Sequence, residues 1–98
     1  MSDTLHYHFI GIGGIGMSGI AKVLISKQFS VSGSDVLNND QTKKLNSNGA
    51  TIFNNQSQKN IDAILEKFPN KKIIAVISSA IKKYNTELSY CIEKKNIH

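Results

Sequence analysis

The sequence predicts an α/β fold, a Rossmann-like three-layer sandwich in which a mainly parallel sheet is flanked by helices on both faces. Three observations predict it. Short apolar segments with strand character alternate with segments of helical periodicity four times along the chain. A glycine-rich segment, Gly11 to Gly16, follows the first strand and opens the first helix. The intervening lengths suit right-handed parallel crossovers, which place helices on both faces of a sheet.

The first strand, first helix and second strand occupy the N-terminal third of the chain. His6 to Ile10 has the aromatic and β-branched residues of a short buried strand. Phe29 to Ser32 has similar character and predicts the second strand. Between them, apolar residues at helical spacing predict one buried helix face, with Ala21 beside it: Ile15, Ile20, Leu24 and Ile25.

The second helix and third strand are short. Asp40 to Ser47 predicts a polar helix, with Asn39 or Asp40 as its N-cap. Gly49 follows as the expected C-terminal stop, because glycine readily adopts the left-handed conformation that ends many helices. Thr51 to Phe53 then predicts the third strand.

The last third of the chain repeats the pattern. Lys72 to Ile77 is the most apolar segment and predicts a strand at the centre of the sheet. Asn85 or Thr86 is expected to cap a final helix, and a further parallel strand is expected after His98. We therefore interpret residues 1–98 as one domain, the first of a longer protein. The third helix, ended by Pro69, carries Ile61, Ile64, Leu65 and Phe68, and the fourth turns Leu88, Cys91 and Ile92 inward.

Composition narrows the class of protein. The chain has 98 residues, of which 40% are hydrophobic and 19% charged, values typical of one small globular domain. The net charge of +5 comes from scattered lysines without arginine, so a solvated surface is favoured over a nucleic-acid partner. Cys91 is the only cysteine, which excludes an internal disulfide and favours a reducing, cytoplasmic setting. No apolar segment is long enough to cross a bilayer, and no membrane partner is expected.

The glycine-rich segment predicts a phosphate-binding loop. Gly11 is expected to allow the tight turn after the first strand, and Gly13 and Gly14 to let a pyrophosphate approach the backbone. Gly16 is expected to let the helix pack close to the strand. The helix N–H groups near Ile15 and Gly16 then face an anion, with the helix dipole behind them. The pattern does not identify the nucleotide, and a glycine-rich turn needed only for packing is the alternative.

Two further features bear on the identity of the ligand. Asp35 ends "VSGSD" about 20 residues after Gly16, the spacing at which an acidic side chain meets a ribose in dinucleotide sites. An Asx-turn or helix-capping aspartate is the alternative. Ser78 and Ser79, followed by Ala80, come just after the fourth strand, on the ligand side of such a sheet or in a polar turn. On these residues alone, NAD is the leading ligand.

No catalytic apparatus or metal site is predicted. His6 and His8 alternate on the first strand, and packed or surface histidines are favoured over a metal pair because no third ligand converges. Cys91 lies on an apolar helix face and is interpreted as a core residue. The sequence contains no Gly-x-x-x-x-Gly-Lys-Ser/Thr segment, so no ATP site is predicted in this chain.

Three segments of the chain, in their order and spacing, resemble the N-terminal domain of the Mur ligase family, which adds amino acids to peptidoglycan precursors. They are "HFIGIGGIGMSGIA", "VSGSD" and "ISSAIK". The resemblance runs from about Leu5 to His98. It is closest to the member that attaches L-alanine to UDP-N-acetylmuramate. It implies an ATP-dependent, amide-bond-forming, cytoplasmic enzyme whose full-length form uses ATP and Mg and carries the remaining ligase domains in cis.

The resemblance also implies the substrate-binding residues. ATP binding and amino-acid recognition belong to domains after His98, so this chain alone is expected to bind UDP-N-acetylmuramate and to catalyse nothing. An NAD(H)-binding domain of a regulatory or oxidoreductase protein is the alternative, disfavoured by Met17-Ser18-Gly19 and by the serine pair. The loop facing the UDP diphosphate maps to Gly13, Gly14, Ile15 and Gly16, and the uridine environment maps to Ser34, Asp35, Ser78, Ser79 and Ala80.

Overall fold

The computed structural model describes residues 4–14, 16–36, 39–78, 81, 85–94 and 97, which contain four strands alternating with four helices. The predicted α/β class is confirmed, and so are the exact bounds predicted for the second helix, third strand and fourth strand. The elements are β1 (Leu5–Ile10), α1 (Met17–Ser26), β2 (Ser30–Ser34), α2 (Asp40–Ser47), β3 (Thr51–Phe53), α3 (Gln58–Lys67), β4 (Lys72–Ile77) and α4 (Thr86–Glu93).

The four strands form one sheet in the order β3-β2-β1-β4, and every pair is parallel. The central position predicted for Lys72–Ile77 is wrong within the described sheet, because β1 and β2 are its inner strands. Apolar residues of β4 join both cores, Ile73 on one face and Val76 on the other, but Ile77 remains 44% exposed. Beyond the outer edge of β4, Ile97 forms an isolated parallel bridge with Ile73.

The second strand begins and ends later than predicted. Phe29 lies outside it because its N–H donates to the carbonyl of Leu24 and closes the turn after α1. At the other end, Gly33 pairs with Phe9 and Ser34 with Ile10. The strand therefore extends to the carboxyl edge of the sheet, where the loop after β1 begins.

Two hydrophobic cores lie on opposite faces of the sheet, since alternate residues of a strand point in opposite directions. Phe9 packs with Met17, Leu45 and neighbouring residues on the face covered by α1 and α2. Ile10 packs with Ile61 and others on the face covered by α3 and α4. This arrangement confirms the three-layer sandwich.

Two predicted helix faces require correction. In α1, Ile20 is 51% exposed, because the helix begins at Met17 and its buried face is centred on Met17 and Ala21. In α4, Ile92 is 74% exposed, whereas Cys91 is buried as predicted. The inner face of α4 is set by Glu87 and Cys91, one helical turn apart, and this rotates Ile92 outward.

Local capping explains where most helices begin and end. Asn39 and Thr42 form a capping box at the start of α2, and Asn85 caps α4 by accepting from the N–H of Leu88. Gly49, with φ +108°, follows α2 as the predicted stop. Pro69 directly follows Phe68, which ends α3 as predicted. None of the helices in the described ranges is long and apolar enough to cross a membrane.

Candidate functional site

The candidate site lies at the carboxyl edge of the sheet, where the strand order changes direction. After β1 the chain adds β2 and β3 on one side and then crosses to add β4 on the other. Open parallel sheets bind ligands at such a switch point, outside the carboxyl ends of the strands. The loops after β1 and β4 meet here, as shown by a distance of 3.2 Å between a Cβ built on Gly11 and Cδ1 of Ile81. The structure thus brings together the glycine loop and the segment after β4.

The glycine loop is anchored to the end of β2. The N–H groups of Gly11 and Ile12 both donate to the carbonyl oxygen of Ser34, at 2.8 and 3.0 Å, and Gly14 N–H donates to the Gly11 carbonyl at 3.2 Å. Gly11 has φ +85°, a left-handed conformation that confirms its predicted role in the tight turn. Ile12 is fully buried, whereas Gly14 is exposed.

The N-terminus of α1 has no side-chain cap and no acidic residue in its first turn. The first N–H groups of a helix lack intrahelical partners and carry the positive end of the helix dipole, so this end attracts an anion. Its N-cap, Gly16, has φ +82°, and no described atom lies within 4 Å of a Cβ built there. The close-packing role expected of Gly16 is therefore wrong, because a side chain there would meet no neighbour among the described atoms. Glycine is favoured at this position by its positive φ instead. Ile15 lies outside the described residues.

Gly33 supplies the close packing that was expected of Gly16. A Cβ built on Gly33 is only 2.5 Å from Cδ1 of Ile12. The absence of a side chain on β2 therefore lets the buried part of the glycine loop lie directly against the sheet.

Gly13 and Gly14 differ in what surrounds them. A Cβ built on Gly13 is 2.8 Å from Oδ2 of Asp35 and 3.0 Å from Cγ2 of Thr42. The space left by the missing side chain of Gly13 is thus filled by Asp35 and Thr42, and contact of the Gly13 backbone with a diphosphate remains a prediction. A Cβ on Gly14 has ordinary clearance, 3.4 Å from the Gly11 carbonyl oxygen.

Asp35 holds the glycine loop from the β2 side. Its Oδ2 accepts from Gly13 N–H at 2.8 Å, and its own N–H donates to the carbonyl of Phe53 at 3.0 Å. Asp35 is half-buried, directly after the end of β2. This loop-holding contact differs from both alternatives derived from the sequence, and the contact of Asp35 with a uridine remains a prediction.

The serines of the predicted uridine environment have different surroundings. Ser34 is fully buried, and its hydroxyl donates to Oε2 of Glu87 at 2.8 Å. The glycine loop is therefore hydrogen-bonded to the carbonyl of Ser34, whereas the hydroxyl of Ser34 is hydrogen-bonded to Glu87. Ser78 is half-buried at the exit of β4, where its carbonyl accepts from Ile81 N–H at 3.2 Å. Ser79 and Ala80 lie outside the described residues.

A buried polar network, missed by the sequence analysis, lies beneath this site. At its centre, Glu87 is fully buried, and its Oε2 is 2.6 Å from Nε2 of His8. Its Oε1 accepts from Ser57 N–H at 3.0 Å and from Nδ2 of Asn60 at 2.7 Å. Together with Ser34, these donors surround the carboxylate, as a charge removed from water requires. The side chains of the network are His6, His8, Ser30, Ser32, Ser34, Asn60 and Glu87.

The two histidines of β1 belong to this network. Ser32 Oγ lies 2.7 Å from Nε2 of His6 and 2.7 Å from Nδ1 of His8, and Ser30 Oγ lies 2.5 Å from Nδ1 of His6. Both rings are fully buried, which confirms that they are packed residues. Burial lowers the pKa of His6 to about 3, with smaller contributions from His8, Lys71 and Lys67. Within the described residues, no three His, Cys, Asp or Glu side chains are grouped to hold a metal.

Comparison with protein families gives one match over almost the whole chain. The family is described as "Mur ligase family, catalytic domain", and its sequence model matches residues 6–97.

Curated relatives match over most of this chain but over little of their own length. A UDP-N-acetylmuramate–L-alanine ligase of Prochlorococcus marinus subsp. pastoris is 57% identical over 91 residues, which are 93% of this chain and 19% of that protein. The enzyme of the same name from Rickettsia prowazekii is 44% identical over 88 residues, 90% of this chain and 16% of the relative. The chain thus spans less than a fifth of the length of these relatives.

Two solved structures share the fold. The UDP-N-acetylmuramate-alanine ligase of Thermotoga maritima aligns with a TM-score of 0.78 and 27% identity, covering 95% of this chain and 20% of that one. The UDP-N-acetylmuramate:L-alanyl-γ-D-glutamyl-meso-diaminopimelate ligase from Neisseria aligns with a TM-score of 0.69 and 27% identity. That match covers 91% of this chain and 26% of that one.

Proposed function

Because the chain belongs to the Mur ligase family, we propose that residues 1–98 form the UDP-sugar-binding, N-terminal domain of a UDP-N-acetylmuramate–L-alanine ligase. One observation carries the proposal. At the switch point of the sheet, the glycine loop contacts the segment after β4, beside a helix N-terminus that has no side-chain cap. An anionic nucleotide suits this edge of the sheet, since the exposed loop backbone and the helix dipole both attract negative charge.

Each part of UDP-N-acetylmuramate has proposed partners at this edge of the sheet. Gly14 is exposed beside the start of α1, which supports a diphosphate there. Asp35 lies beside the loop, where its Oδ2 accepts from Gly13 N–H, and we assign its carboxylate to a ribose hydroxyl. Ser34 contributes through its carbonyl, which holds the loop. The full proposed set is Gly13, Gly14, Ile15 and Gly16 for the diphosphate, and Ser34, Asp35, Ser78, Ser79 and Ala80 for the uridine.

The complete enzyme is proposed to add L-alanine in an ATP-dependent reaction of peptidoglycan synthesis. The present chain spans about a fifth of the length of its relatives and contains no Walker-type segment. We therefore assign ATP, Mg and L-alanine to the remaining ligase domains in cis, and only sugar-nucleotide binding to this one. A cytoplasmic location is proposed because a lone buried thiol suits a reducing compartment.

Titration of the ¹⁵N-labelled chain tests this assignment. UDP-N-acetylmuramate and UDP are expected to shift the amide signals of residues 11–16, of Asp35 and of residues 78–81. NADH at the same concentrations is expected to leave them in place, and signals of exposed α3 residues serve as internal controls. A response to NADH alone would refute the ligase assignment and support the dinucleotide alternative.

A further inference from the structure

Glu87 connects the segments that form the carboxyl edge of the sheet. Glu87 belongs to α4, but its carboxylate is hydrogen-bonded to three other elements. Its partners are His8 of β1, Ser34 of β2, and Ser57 and Asn60 at the start of α3. Glutamate is rarely fully buried, and here each oxygen has two partners. The residue therefore joins elements that are far apart in sequence at a point directly under the candidate site.

The contact with Ser34 links Glu87 to the glycine loop. The hydroxyl of Ser34 donates to Glu87, while its carbonyl accepts from the N–H groups of Gly11 and Ile12. One residue thus separates the buried carboxylate from the turn of the loop. The N-cap of α4, Asn85, also donates from its side chain to Oε1 of Gln56 at 2.7 Å, so the start of α4 is held to the segment before α3 as well.

The charge of Glu87 also sets the direction of hydrogen bonds in the network. An ionised carboxylate only accepts, so Nε2 of His8 carries the hydrogen. The hydroxyl of Ser32 joins Nδ1 of His8 to Nε2 of His6, and Ser30 Oγ contacts Nδ1 of His6. Glu87 therefore holds a hydrogen on Nε2 of His8, at one end of a continuous chain of hydrogen bonds between β1 and β2.

We propose that Glu87 is a positioning residue for the UDP-sugar site, which it serves by fixing Ser34 so that the glycine loop is ordered before ligand binds. The identity of the ligand rests on the proposed function. The effect on the loop does not, because it is expected in the ligand-free chain.

The test compares Glu87→Gln with Glu93→Gln in the 98-residue chain. Both variants lose one negative charge from α4, but Glu93 is exposed. In Glu87→Gln the amide must donate on one side, so we expect His8 to move toward the Nδ1–H tautomer, visible in its ring ¹⁵N shifts. We also expect hydrogen exchange at the N–H groups of Gly11 and Ile12 to be about tenfold faster and UDP-N-acetylmuramate to bind about tenfold more weakly. Glu93→Gln is expected to match the wild type in all three measurements.

The outcomes separate this proposal from the proposed function. If the tautomer changes while loop exchange and affinity stay at the Glu93→Gln values, Glu87 has only a packing role and the proposal is overturned. If loop exchange accelerates but the wild-type chain binds no UDP sugar, the positioning role stands and the proposed function fails. Should Glu87→Gln not fold, Ser34→Ala removes only the buried hydroxyl and is expected to accelerate exchange at the same two amides; unchanged exchange there also overturns the proposal.

Discussion

Replacing Gly14 by aspartate is expected to raise the stability of the chain while abolishing most of its affinity for a diphosphate. The position accepts an L side chain, since its φ is not positive and a Cβ there is 3.4 Å from the Gly11 carbonyl and 3.8 Å from Cγ of Met17. The residue is exposed. Its new carboxylate lies beside the start of α1, where the anion is proposed to bind.

The two effects have opposite signs because the same positive helix end attracts both anions. A carboxylate at a helix N-terminus contributes about 0.3–1 kcal/mol to stability. Against a bound diphosphate at roughly 5 Å, each pair of unit charges costs about 1 kcal/mol in water and about 3 kcal/mol at an effective dielectric constant near 20. With about two charges on the ligand, affinity is expected to fall at least tenfold.

Urea unfolding and ligand titration of Gly14→Asp and Gly14→Asn measure the two effects. Asparagine has nearly the same size without the charge, so it controls for steric obstruction. Raising the ionic strength from about 0.05 M to about 0.5 M is expected to narrow the affinity gap between the variants, because salt screens exposed charges. Equal affinity of the two variants at low salt would refute a diphosphate at this end of the loop.

Three further predictions concern stability and reactivity. Gly33→Ala is expected to lower the free energy of unfolding by about 1–3 kcal/mol, since its Cβ meets Ile12 at 2.5 Å. Gly19→Ala changes a position of α1 where a Cβ meets no neighbour, and it is expected to raise the free energy of unfolding by about 0.5–1 kcal/mol. Equal free energies of unfolding for the two variants in urea would contradict the packing argument. Because burial lowers the pKa of His6 to about 3, the unfolded chain binds a proton below about pH 6.5 that the folded chain does not. The free energy of unfolding should therefore decrease as the pH falls from about 6.5 towards 3, by up to about 1.4 kcal/mol per pH unit. His6→Gln should make this pH dependence weaker. If the pH dependence is the same in His6→Gln, a group other than His6 causes it. Burial and the nearby Glu87 raise the pKa of the Cys91 thiol to about 12, so iodoacetamide at pH 8 should alkylate it only after urea unfolds the chain; rapid alkylation of the native chain would contradict this.

The sequence was sufficient for the fold class and for most element boundaries, because these depend on local periodicity and on capping residues. Asn39 and Gly49 delimit α2 by interactions within a few residues of its ends. The position of β4 could not be derived in this way. An apolar strand that contributes to two cores can lie at the edge of a sheet or in its middle with the same composition, and the order of strands depends on partners distant in sequence.

The candidate site was predictable in its location and less so in its parts. Because the carboxyl ends of parallel strands lie at one edge of the sheet, the sequence predicts that the glycine loop and the segment after β4 are close together. It does not predict which side chains fill the space next to each glycine. Gly13 faces Asp35 and Thr42, and Gly33 faces Ile12, contacts that only the tertiary structure specifies. This is why the close-packing role expected of Gly16 needed correction, and why it belongs to Gly33 instead.

Glu87 was missed because a glutamate in the first turn of a helix is usually an exposed partner of the helix dipole. Its main contact, His8, is 79 residues away in sequence. The sequence did contain a related signal. His6 and His8 alternate on one strand, and Ser30, Ser32 and Ser34 alternate on another, so parallel pairing brings the polar residues onto one face.

The inner position of β1 bears on how the chain folds during synthesis. β1 pairs with β2 on one side, whereas on the other side Leu5 and Ile10 pair with Lys72 and Ile77, which are far along the sequence. One edge of β1 therefore keeps its backbone groups unpaired until the residues of β4 have been synthesised. Unpaired strand edges are templates for aggregation, and variants that weaken β4 are expected to prolong this exposed stage.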